Sequence, residues 1–145
     1  MNTVSKLVLI LLVFAGCSPE EPAVIKDKTF TINGGTFNFP IQVVIMEDPN
    51  RASTIINEYT EDCVGADGFE EVAGYTFINS QGRPVAIWLS QMSDDPSDVA
   101  VANHELLHAT LAIMKFSGVP LSEESEEIYG YEMQYLSNQF YKQIK

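Results

Sequence analysis

His104, Glu105 and His108 are the residues whose types and spacing could do chemistry, and they stand together in His104-Glu105-Leu106-Leu107-His108. The two are the only histidines in the chain. Residues four apart on a helix project from one face about one turn apart. That separation lets two imidazole nitrogens reach a single tetrahedral Zn²⁺. Glu105 follows the first histidine, so its carboxylate can contact a water activated by the ion without having to ligate, which is where a general base must stand. The chemistry so described is metal-assisted hydrolysis. The competing reading is a pair of surface histidines beside an ordinary glutamate. Flanking apolar residues (Val99, Leu107, Leu111 and Ile113) weigh against it, because they suit a helix set against a core.

The helix that must carry the motif has explicit boundaries. Asp95-Pro96-Ser97-Asp98 supplies an N-cap, a proline at the first helical position and an acid completing a capping pattern. The helix is expected to run to about Phe116 and to close at Ser117-Gly118, with Pro120 beyond. Ser122 reads as the cap of a final helix, acidic in its first turn as the helix dipole favours, reaching about Lys142. Upstream, 28–32 alternates like a short strand and stops at Asn33-Gly34-Gly35, a turn signal. Segment 40–46 is a nearly continuous apolar, β-branched run, as in a strand buried on both faces. Asp48-Pro49 opens a helix through Ala52, Ile55, Ile56 and Tyr59. The segment 63–71 reads as a loop, and 74–78 and 84–89 as a β-hairpin around Asn79-Ser80-Gln81-Gly82-Arg83. The order strand, strand, helix, hairpin, long helix, final helix predicts an α+β domain.

With these residues in place, the chain resembles the zincin metallopeptidases, in which an HExxH helix packs under a small sheet whose edge strand lines the substrate cleft. The nearer resemblance is to gluzincins, and closer still to small HExxH metallopeptidases of bacteria and phages whose motif precedes a Ser-Glu-Glu…Tyr helix. The likeness covers about 74–140, and HExxH is its one sharply specific element. It implies a minimal zincin-like fold, a small mixed sheet packed on the HExxH helix and a C-terminal helix that supplies the third zinc ligand. A histidine in that role is excluded, since no third one exists. The acids Glu123, Glu124, Glu126, Glu127 and Glu132 are available. Glu127, on one stripe with Tyr131, Tyr135 and Asn138, is the first choice. Glu126, on a face with Gly130, is the second. The resemblance also asks for an oxyanion donor, for which Tyr131 and Tyr129 are possible, although a helix tyrosine is more often core. Trp88 and the 85–89 strand are expected at the cleft edge, where an extended peptide adds by main-chain pairing.

Bulk properties bound the rest. The chain of 145 residues is enough for one domain, and with 46% hydrophobic and 10% aromatic residues it can build a core. A net charge of -12, with Arg51 and Arg83 the only arginines, argues against nucleic acid, whose binding needs phosphate-neutralising cations. Lys6 precedes the apolar run 7–14, too short to span a bilayer comfortably and of signal-peptide length. Phe14-Ala15-Gly16-Cys17 resembles the lipobox of bacterial lipoproteins, with Phe14 where leucine is usual. The resemblance implies a signal peptide over 1–16, lipid on Cys17, a tether over 17–25 and a peptidase domain over 26–145, fixed to a membrane face at the cell envelope. An uncleaved signal anchor is the alternative. Cys63 has no partner once Cys17 is lipidated, so a disulfide framework is excluded and a small half-buried side chain is expected. The expected activity is zinc-dependent hydrolysis of a peptide or protein substrate. A non-catalytic zinc-binding or structural envelope lipoprotein is the alternative, and oligomeric state is left open.

Overall fold

The computed structural model describes residues 23–35, 37–60, 69 and 72–145. Cys17 and Cys63 lie outside them, and with them the signal, lipidation and half-buried-thiol expectations. The element order is β1 (Asp27–Gly34), β2 (Phe39–Met46), α1 (Pro49–Asn57), β3 (Gly74–Ile78), β4 (Pro84–Leu89), α2 (Pro96–Phe116) and α3 (Glu126–Ile144). Four strands form one mixed sheet in the order β1-β2-β4-β3, with helices on both faces. The domain is α+β, as the alternation of patterns predicts.

The sheet sits where it does because β4 is apolar at every step and β2 at every step but Gln42. They pair in parallel, Val43 with Ile87 and Val44 with Trp88, and residues 41–46 and 84–89 are buried throughout. One face (Ile41, Val43, Ile45, Ile87, Leu89) packs on Ala102, Leu106, Ala109 and Ile113 of α2 and on Leu136 and Phe140 of α3. The other face (Val44, Met46, Ala86, Trp88) packs on Ala52 and Ile56 of α1 and on Phe69. Leu106 is fully buried, so truncating it to alanine should cost about 2–5 kcal/mol. Placing Trp88 in this second layer corrects the expected cleft edge. Its ring is 2% exposed and its indole N–H donates to the Met46 carbonyl at 2.9 Å. A strand apolar on both faces belongs in the middle of a sheet, and the edge falls to β3 instead.

Both ends of α2 follow their signals. The Asp95 carboxylate accepts from the Ser97 N–H at 2.8 Å, while Asp98 accepts from the Ser93 hydroxyl at 2.6 Å rather than closing a capping box. At the C-terminus Gly118 takes φ +74. Gly118 N–H then donates to the Lys115 carbonyl and Val119 N–H to the Met114 carbonyl, which completes a Schellman cap. The inward stripe of α2 is Ala102, Leu106, Ala109 and Ile113, while Leu107 and Leu111 face solvent at 45% and 37% exposure. Small alanines let the helix lie close to the sheet.

Helix α3 begins at Glu126 with Ser125 at its N-cap, three residues later than the Ser122 signal suggests. Residues 122–125 form a turn instead. The Ser125 hydroxyl donates back to the Pro120 carbonyl, and Ser122 N–H donates to it. It is therefore spent on the connection and not on the helix.

Candidate metal centre

Helix α2 lies over β3 and β4, and α3 packs against α2 and β1. Their contact fixes the roll of α2. Asn103 accepts from the Tyr141 hydroxyl at 3.1 Å, and the Thr110 hydroxyl lies 3.6 Å from the Met133 sulfur. At about 100° per residue, His104 and His108 sit roughly 100–140° around the helix from that contact. They face the β3 edge, where they line a cavity of about 350 Å³ with Glu105, Val72, Gly74, Tyr75, Thr76 and Ile78.

Within the cavity the motif residues behave as two kinds. His104 and His108 are exposed, with Nε2 atoms 3.0 Å apart and rings crossed at 88°. Nitrogens on one tetrahedral zinc, each at about 2.0–2.1 Å, stand about 3.4 Å apart. Opening the pair by a few tenths of an ångström therefore admits the ion. Glu105 is 5% exposed. Its Oε2 lies 2.8 Å from the Thr76 hydroxyl, and its backbone carbonyl 2.9 Å from the same oxygen. Gly74 makes the approach possible, because a Cβ there would lie 2.8 Å from Val101 Cγ1 and 3.0 Å from Glu105 Cγ. In Gly74-Tyr75-Thr76, Gly74 and Thr76 share one side of the strand, and that side is small and polar where a core face would be apolar. Neither residue was anticipated as part of the site; that alternation was the signal available for them.

The donors fit a zinc ion in part: two convergent imidazoles and an adjacent carboxylate are in place, and among the described residues a third ligand is not. Among the described residues no group of three His, Cys, Asp or Glu side chains is gathered for a metal. Glu127 and Glu126 are exposed on α3, and no α3 residue lines the cavity. The stripe of Glu127, Tyr131, Tyr135 and Asn138 faces solvent, with Tyr131 68% and Tyr135 49% exposed. The inward stripe is Glu132, Met133, Leu136 and Phe140, whose aliphatic and phenyl groups bury more apolar surface than hydroxyl-bearing tyrosines. Tyr131 lines a different cavity, with Gly35, Ile128, Glu132 and Tyr135. It is not brought to the histidines as an oxyanion donor. Tyr129 donates to the Val119 carbonyl at 2.8 Å and so braces the α2–α3 connection. Gly130 does not mediate close packing either, since a Cβ there would meet nothing within 4 Å.

Comparison with known proteins adds no relative: no family model, curated protein or solved structure matches the chain.

Proposed function

We propose that this chain is a zinc-dependent peptidase held at the bacterial cell envelope by lipid on Cys17. In this reading His104 and His108 hold the ion and Glu105 is the general base. The observation that carries it is the convergence of three groups on one cavity. Two Nε2 atoms stand 3.0 Å apart beside a buried carboxylate that a surface histidine pair would not require. When bound, zinc supplies Lewis acidity, polarising a carbonyl and bringing the pKa of a water near neutrality. Glu105 takes the proton of the attacking water on its carboxylate and returns it to the leaving amine. The outer edge of β3 is the end of the sheet, so an extended peptide pairing with it lies along the cavity. Val72, Tyr75 and Ile78, 43–49% exposed, offer apolar contact to its side chains.

A second reading, metal binding without catalysis, is favoured by one observation, the lack of a gathered third ligand among the described residues. Against it stands Glu105, a buried carboxyl lining the cavity beside both histidines, which metal binding by the histidines alone does not require. Metal analysis of the mature domain tests the shared premise. About one zinc should bind, and His104→Ala or His108→Ala should abolish binding. Two protein ligands supply about half of the 10–16 kcal/mol of a four-ligand site, so a Kd between roughly micromolar and 0.1 mM is expected. Metal content unchanged in both variants would end the zinc reading.

A further inference from the structure

The cavity beside the histidines holds a buried hydroxyl against a buried carboxylate, and the hydroxyl comes from outside the motif. Thr76 is 8% exposed and Glu105 is 5% exposed. The Thr76 oxygen has two acceptors on one residue, Glu105 Oε2 at 2.8 Å and the Glu105 carbonyl at 2.9 Å. A hydroxyl has one proton and two lone pairs, so it donates to one of these at a time. Both acceptors belong to Glu105, so either hydrogen bond ties the β3 hydroxyl to that residue and sets its carboxyl at the cavity.

We propose that Thr76 is the positioning residue for Glu105, holding its carboxyl at the cavity. The catalytic half of this proposal rests on Glu105 being the general base, whereas the geometric half does not. Valine, close to threonine in shape, can neither donate nor accept, and serine can do both. The Glu105 carbonyl, 2.9 Å from the same oxygen, is a second point at which the Thr76 hydroxyl meets that residue. Gly74, on the same side of β3, keeps the strand close enough for this contact, since any side chain there would press on Glu105 Cγ and Val101.

The test compares Thr76→Val, Thr76→Ser and Thr76→Ala, the last removing the hydroxyl without adding bulk if valine impairs folding. In metal-free protein labelled with ¹³C-glutamate, side-chain couplings report the Glu105 rotamer. A single rotamer is expected in wild type and Thr76→Ser, and averaging in Thr76→Val and Thr76→Ala. The zinc dissociation constant should be the same in all four, which a general loss of structure would not allow. In the zinc-loaded protein kcat should fall about 10- to 100-fold without the hydroxyl, the scale of a misplaced catalytic group, with KM little changed and serine restoring the rate. A single unchanged rotamer in Thr76→Val and Thr76→Ala overturns the proposal alone. Full kcat in both overturns it as well. A wild-type protein that binds no zinc overturns the peptidase reading instead, and the rotamer measurement still decides whether Thr76 holds Glu105.

Discussion

Replacing Glu105 by glutamine separates an enzyme from a metal-binding module, because the structure makes distinct demands on rate, affinity and stability. Removal of a general acid–base group costs about 10²- to 10⁴-fold in rate, or about 3–5 kcal/mol of barrier at 1.36 kcal/mol per decade. Stability should respond far less. Glutamine retains an oxygen to accept from Thr76, in place of the 2.8 Å bond to the carboxylate. Hydrogen bonds to charged groups contribute about 1.5–3 kcal/mol and those between neutral groups about 0.5–1.5, so the expected loss is about 1 kcal/mol. Relief from burying a charge offsets part of it. For a domain of this size 1 kcal/mol corresponds to a Tm change of about 3–5 °C. Zinc affinity should not move, since Glu105 touches Thr76 rather than completing the ligand set. The assay is cleavage of a mixed peptide library by zinc-loaded wild type and variant, with metal content and melting curves alongside. Equal cleavage by the two proteins would refute the mechanism. A collapse of zinc binding in Glu105→Gln would show that the residue is a ligand and not the base.

Three further outcomes follow from placement. Glu127→Gln should leave the zinc dissociation constant within about twofold of wild type, because Glu127 is exposed on α3 away from the cavity. A tenfold loss in isothermal titration would put it on the metal. The Asp95 carboxyl is held below its ordinary value by hydrogen bonds from the Ser97 hydroxyl and then the Ser97 N–H. Its contribution is therefore present above the unfolded-state value and lost as pH falls through the depressed folded one. Asp95→Asn, which keeps the cap, should match wild type in Tm near neutrality and lose less Tm on acidification; identical acid slopes would refute this. Cys17→Ser should shift the protein from the membrane fraction to the soluble one, since lipid supplies stable attachment. Among the described residues no helix is long and apolar enough to cross a membrane. Retention in the membrane like wild type would favour a signal anchor over 7–14.

Much of this protein was legible before folding. Apolar continuity marked β2 as a strand buried on both faces, cap residues marked both ends of α2, and the spacing of His104 and His108 put them on one helical face. These are local properties, set by strand and helix periods and by terminal hydrogen bonds that neighbours in sequence satisfy. What lay beyond the sequence was the roll of each helix and the order of the sheet. The tyrosine stripe of α3 had the right period for a core face. Met133, Leu136 and Phe140 had the same period and more apolar surface, so α3 turned Glu127 and Tyr131 to solvent. The same competition placed Trp88 inside and left β3 at the edge. Thr76 and Gly74 are 29 and 31 residues from Glu105 in the chain, and only the packing of α2 on β3 brings them against it. Periodicity says which residues share a face. The free energy of burying one face rather than another, summed over all the elements, decides where that face points.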